Sequence, residues 1–249
     1  KPLAAQGRAL FAENCAGCHV PTVTQENGRP VQQLKMLPVD YIGTDPGTAS
    51  NIADQRYDLS ALQWDPAELA TLNVELHPTP TEPLDLKKMS VAKGLAYVTA
   101  FVEEHAYRAA GVTPAERPRL DGYGLPIGVR ELRAYKARPL AGVWATPPFL
   151  HNGSVPTIYQ LLSPQDERST TFYKGTFNYD PRHLGFETAA FKNAFLFDTK
   201  LTGNHNSGHE FRAGQRGNGV IGRGLLPQER WALLEYLKVL GGPLEQQLP

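Results

Sequence analysis

The 249-residue chain has two cysteines, at positions 15 and 18, and a histidine follows the second: Cys15-Ala16-Gly17-Cys18-His19. Thiols three residues apart share one face of a helical turn, so both sulfurs can reach the same edge of a flat ligand. Each thiol can add to one vinyl group of a haem, giving two thioethers, and the tethers carry the ring past the imidazole that follows. C-x-x-C-H is the attachment pattern of c-type haem, and histidine is the usual proximal ligand of its iron. The motif predicts one covalent haem c on Cys15 and Cys18, with His19 as an axial ligand. Two other chemistries share part of the pattern. A thioredoxin-like redox pair needs a βαβ setting, whereas the segment before Cys15 reads as helix. A structural zinc site needs four ligands, and the sequence has no second cysteine pair.

Residues 7–14 read as a short helix, with Leu3, Leu10 and Phe11 on an apolar side and Pro21 as its stop. Residues 20–64 carry no sustained helical period, and Pro21, Pro30, Pro38, Pro46, Gly28, Gly43 and Gly47 mark them as loop. Asp65-Pro66-Ala67-Glu68 has the pattern of an N-cap, a proline at N1 and an acidic first turn, predicting a helix to about His77. The clearest periodicity, Val91, Leu95, Val98 and Val102, predicts a helix over 84–110 with that stripe buried. Thr113-Pro114-Ala115-Glu116 is a capping box, 118–153 reads as loop, and 157–162 as a short helix. Aromatics interleaved with Gly, Asn and Asp over 163–226 predict short strands or hairpins. A final amphipathic helix from Glu229 to Leu240 has Leu233, Leu234, Leu237 and Leu240 inward, ended by Gly241 and Gly242. The sequence therefore reads as a single haem domain over 1–249. It divides into an attachment helix (3–20), a long insertion (21–130), a motif segment (131–162), a distal-loop region (163–226) and a final helix (227–242). The expected fold is mainly α, with long loop insertions and a few short strands.

The attachment segment resembles the first helix of class I cytochromes c, which implies a class I cytochrome c-like haem domain. The run from Arg138 to Ser154 (RPLAGVWATPPFLHNGS) resembles the segment before the final helix of bacterial dihaem cytochrome c peroxidases. It is closer still to the carboxyl-terminal haem domain of the dihaem rubber-oxygenase family. The runs 203–210 (GNHNSGHE) and 225–237 (LLPQERWALLEYL) are similar to that family too. Those proteins carry two C-x-x-C-H motifs and work at the other haem; this chain has one motif. The resemblance thus implies the electron-relay half without the catalytic half.

A six-coordinate iron needs a second side chain, normally His or Met in electron carriers. Candidates are Met36, Met89, His77, His105, His151, His183, His205 and His209. Packing explains Met89 and His105 on the long helix, and prolines place His77 and His183 in loops. The Gly/Asn-rich loop around His209 can fold onto a haem face, and the resemblance places the distal ligand there, so His209 is the expected second metal ligand. His151 belongs to the motif and is expected to support the pocket. Arg138 is a candidate partner for a haem propionate, since a guanidinium pairs bidentately with a carboxylate; the other reading is a surface arginine. Trp144 is placed near the haem edge or in the core. His205-x-x-x-His209 has zinc-pair spacing only if helical, and Asn204, Asn206 and Gly208 argue against a helix. Residues 217–222 (GNGVIG) match the dinucleotide fingerprint in letters, but a polar loop precedes them where a strand is required.

Lys plus Arg and Asp plus Glu both number 25, a formal charge of zero. That argues against nucleic-acid binding, which needs clustered cationic surface. No stretch approaches the roughly 18 apolar residues of a membrane span. The chain begins at Lys1, which reads as a processed or trimmed form. The absence of a disulfide hints at the cytosol, but covalent haem reverses the hint, giving a periplasmic or secreted bacterial protein. Three functions fit: an electron carrier or cytochrome subunit with a redox partner protein or larger redox complex, part of a dihaem oxygenase or peroxidase, or a gas or redox sensor with five-coordinate iron.

Overall fold

The computed structural model describes residues 2–26, 28–76, 84–120 and 132–248. Two compact units divide the chain: Lys1–Thr48 with Ala134–Pro249, and Ala49–Arg133.

The first unit opens with helix α1 (Pro2–Asn14), whose buried residues Ala4, Gly7 and Phe11 recur at helical spacing on one face. Leu3, expected inward, is exposed. The one-turn helix α2 (Ala16–His19) carries the motif. Residues expected to be loop then form an antiparallel hairpin of β1 (Thr22–Glu26) and β2 (Arg29–Gln33), closed at Gly28, whose φ is +73°. Strand β3 (Lys35–Pro38) and helix α3 (Val39–Ile42) follow, and helix α4 (Gly47–Asp54) contains the boundary between the units after Thr48. The β-branched residues Thr22, Val23, Thr24 and Val31 favour strand, and Pro30 and Pro38 are tolerated because each sheet has only edges.

The second unit contains β4 (Arg56–Tyr57), helix α5 (Pro66–Leu76), β5 (Met89–Ser90), helix α6 (Val91–Ala109) and helix α7 (Arg117–Leu120). Asp65 Oδ1 caps α5 by accepting from the Ala67 and Glu68 amides at 2.8 and 3.0 Å. Helix α6 begins later than its periodicity predicts because Ser90 caps it, accepting from Lys93 N at 3.2 Å. Its buried face is also different. Gly94, Ala96 and Tyr97 point inward, beside a core of Leu72 and Met89. Leu95 and Val102 of the expected stripe are 65% and 58% exposed.

Back in the first unit, β6 (Ala134–Ala137) pairs with β3, and α8 (Ile158–Leu161) starts at its Thr157 cap. Four short strands follow: β7 (Thr171–Lys174), β8 (Tyr179–Asp180), β9 (Gly185–Phe186) and β10 (Phe195–Asp198), paired β7 with β10 and β8 with β9. Then β11 (Glu210–Phe211) runs parallel to β12 (Val220–Gly222). The last helix, α9 (Pro227–Leu237), stops short of the expected 242. It crosses α1 at Gly7, where even a Cβ would lie 2.0 Å from Ala232 O. Phe11 and Tyr236 flank the crossing with ring centroids 5.3 Å apart. The apolar core gathers Phe11, Ile158, Leu162, Phe211, Leu233 and Leu237.

The expectation of a mainly α fold does not hold: the structure is 39% helical and 19% strand, with many small sheets. Among the described residues these are six two-stranded sheets. The short strands over 163–226 are expected, but the polar hairpin of β1 and β2 gives little hydrophobic periodicity, so the sequence hides it. No described helix is long and apolar enough to cross a membrane.

Candidate haem-binding site

Helix α1 hands its last hydrogen bond to the motif: Cys15 N donates to Phe11 O at 2.8 Å. The Cys18 and His19 amides donate back to Cys15 O at 3.1 and 3.0 Å, closing a turn that points both thiols and the imidazole into one cavity. Lys35 Nζ donates to Gly17 O at 3.2 Å, bracing that turn from β3. Burial pushes the Cys15 thiol up to about 12, with Cys18 adding to the shift. A dithiol redox pair needs the opposite, a thiol pulled toward neutrality.

The cavity lies wholly in the first unit. Its empty space, open mouth included, is about 930 Å³. Ile158 and Leu161 from α8, Leu162 just after it, and Leu233 and Leu237 from α9 make one apolar wall; Leu37, Ile42, Leu140 and Val143 contribute another. Polar groups at its lining are few: Glu13, Asn14, Tyr41 and Arg216 join the two histidines.

His19 Nδ1 lies 2.7 Å from the carbonyl oxygen of Arg138. A donated Nδ1–H leaves the Nε2 lone pair free, the tautomer that a metal ligand needs. Burial pushes the His19 pKa down, and the Arg138 carbonyl works against that. Facing it is His209, its ring centroid 6.2 Å away and its plane turned by 64°. Two metal–imidazole bonds of about 2 Å, plus about 1 Å from each nitrogen to its ring centre, come to about 6 Å. His209 Nδ1 is buried with no hydrogen-bond partner among the described residues. Burial, with the neighbouring His19 and Arg168, pushes its pKa down to about 3. A neutral buried imidazole without a partner is costly unless something accepts its lone pair. The apolar cavity, the facing histidines and the two thiols on one turn fit a haem.

Backbone geometry sets His209 in place. Gly208 (φ +73°) approaches the Ile42–Thr44 turn so closely that a Cβ would lie 2.3 Å from Gly43 C. His209 N donates to Ile42 O at 2.9 Å, and its φ is +48°, a left-handed conformation rare outside glycine. Upstream, the buried Asp45 carboxylate accepts from His205 N at 3.2 Å and from the His205 ring at 2.6 Å. Burial pushes the Asp45 pKa up, but the Gly47 and His205 N–H groups outweigh it and hold it below the usual range. Asn152 Nδ2 donates to Gly203 O and His205 O at 3.1 and 3.0 Å, tying the motif segment to the same loop.

The other expected site residues lie elsewhere. The Arg138 side chain is exposed, and its contribution to the site is a backbone carbonyl. Trp144 is 39% exposed and absent from the cavity lining. His151 stacks on Tyr135 at 3.9 Å, also outside the lining. Met89 is packed in the core of the second unit. His105 meets Glu68 and His183 meets Asp180. Met36 lies on β3 and His77 lies outside the described residues. The GNGVIG stretch forms a tight turn and β12, with no helix opening on it. Sequence reasoning missed Arg216, Asp45, Asn152 and Arg168, none of which sits in a chemically suggestive spacing.

These features define a c-type cytochrome domain, which implies haem c and a haem-based redox function. Residues 134–173 match the family described as RoxA-like, cytochrome c-like, and the domain resembles RoxA-like proteins. The chain is 39% identical over 251 residues to uncharacterized protein y4iJ of Sinorhizobium fredii, covering 96% of this chain and 39% of that protein. It is 29% identical over 203 residues to uncharacterized protein y4iM of the same organism, covering 80% and 37% respectively. The chain thus spans about two-fifths of the length of these relatives.

Proposed function

We propose that the chain binds one haem c covalently through Cys15 and Cys18, with His19 and His209 as its two axial ligands, and serves electron transfer. The observation that carries this reading is the pair of imidazoles facing each other at 6.2 Å across an apolar cavity. When bound, haem supplies one-electron exchange at its iron. The protein's own part is positional. His19 is oriented by the Arg138 carbonyl, His209 is held by its backbone, and the apolar walls exclude water. Two fixed ligands need little rearrangement between oxidation states and leave no open position for dioxygen or peroxide. Arg216, exposed at the lining, is the candidate cation for a propionate. The electrons pass to a redox partner protein or within a larger redox complex, in a periplasmic or secreted setting.

The test is a pair of assays on the purified protein: stopped-flow oxidation after reduction by a small donor, and peroxide turnover. Reversible exchange with negligible turnover is expected. Turnover at ordinary enzyme rates, about 1–1,000 per second, would overturn the carrier reading. A second reading, the relay half of a dihaem oxygenase or peroxidase, is favoured by the match to only two-fifths of the relatives' length. A second C-x-x-C-H in the same full-length gene product would support it.

A further inference from the structure

Arg168 is 4% exposed and lies beneath the loop that carries His209. A guanidinium has five N–H donors, and here all five bonds go to main-chain carbonyls. Nε donates to Ser163 O at 3.2 Å and Nη2 to Leu161 O at 3.4 Å, at the end of α8. Nη1 donates to Asn206 O and Gly208 O at 2.5 and 2.9 Å, and Nη2 to His209 O at 3.2 Å. One side chain thus joins the cavity wall, which includes Leu161, to three carbonyls around the distal histidine.

Such a site is costly to build. A buried cation requires full hydrogen bonding, and burial pulls the Arg168 pKa down to about 10, with the nearby Glu210 carboxylate working against it. The guanidinium therefore remains charged at neutral pH. The residue it supports is also strained: His209 holds a left-handed backbone conformation, which persists only where the surroundings over-determine it. Lysine cannot substitute, since it has three donors and no planar fork.

We propose that Arg168 is the positioning residue of the distal ligand, a five-pronged clamp that holds the His209 loop against the cavity so that the imidazole stays on the iron. The inference rests on His209 being that ligand. Loss of the clamp frees the loop, and His209 then leaves the iron for part of the time.

The experiment compares wild type, Arg168→Ala, Arg168→Lys and His209→Ala, all with haem bound, by optical spin-state bands and the rate of carbon monoxide binding to the reduced protein. Wild type should be low-spin and slow, and His209→Ala high-spin and fast. If those two do not differ, the ligand assignment fails, whatever Arg168 does. Given that difference, Arg168→Ala should bind carbon monoxide at least tenfold faster than wild type and show a high-spin fraction. Millimolar methylguanidinium should reverse both effects, while methylammonium, equal in charge but without the fork, should not. An Arg168→Ala protein with the wild-type spectrum and rate overturns the proposal, as does rescue by both cations or by neither. Should Arg168→Ala yield no haem protein, Arg168→Lys decides: faster carbon monoxide binding supports the clamp, and wild-type behaviour overturns it.

Discussion

At the residue scale, the site is a set of groups whose positions are fixed by partners far away in sequence. Replacing both Cys15 and Cys18 with alanine should abolish haem retention, read as loss of red colour after denaturation and of one haem from the intact mass. Asp45 gives a pH prediction. Its pKa is lowered in the fold, so its stabilising contribution is complete above the unfolded value of about 3.9 and is lost as pH falls through the lower folded value. Low-spin absorbance should hold from neutrality to about pH 4 and decline below it. In Asp45→Asn that contribution should be missing, with the wild-type and variant curves converging in acid; parallel curves would count against it. Cys15, Cys18 and His19 stand out in the sequence because the attachment motif is local, confined to five consecutive residues. His209 stands out only through the resemblance and its glycine-rich loop, and the structure sets its ring 6.2 Å from that of His19. Arg168 and Asn152 were not legible, because an isolated arginine or asparagine says nothing of the carbonyls it meets some 40 or 50 residues away.

At the element scale, the crossing of α1 and α9 is set by one missing side chain. Gly7→Val would drive methyl groups into Ala232 and Tyr236. Overpacking of this kind costs about 1–3 kcal/mol, and a chain of this size loses roughly 2–4 °C of melting temperature per kcal/mol. Thermal denaturation of the haem-bound protein should show at least that loss. The capped start at Asp65 was readable, and the short helix expected over 157–162 is present as α8, capped by Thr157. The face of α6 was not. Its valines and Leu95 keep perfect spacing, yet Gly94 lets Leu59 approach, with room for only 3.1 Å to a Cβ, and the larger Tyr97 takes the interior, donating to Asn73 at 2.5 Å. Ring size and a close approach outweighed periodicity. The hairpin over residues 22–33 escaped because both of its faces are largely polar, so no alternation betrays it.

At the scale of the molecule, all cavity-lining residues belong to the first unit. Replacing residues 49–133 by a flexible glycine–serine linker should therefore leave the low-spin spectrum unchanged; a high-spin product would show that the second unit is required. The two facing histidines come from positions 19 and 209, near opposite ends of the chain. A chain that emerges amino end first, at roughly 5–20 residues per second, presents its attachment turn about 10–40 seconds before His209 exists. Arg138, whose carbonyl orients His19, also arrives late. The order of manufacture therefore runs opposite to the symmetry of the finished site. On the proposed ligand set, tethering needs only residues 15–19, so a chain that has emerged only that far could carry its haem with one face still without a protein ligand.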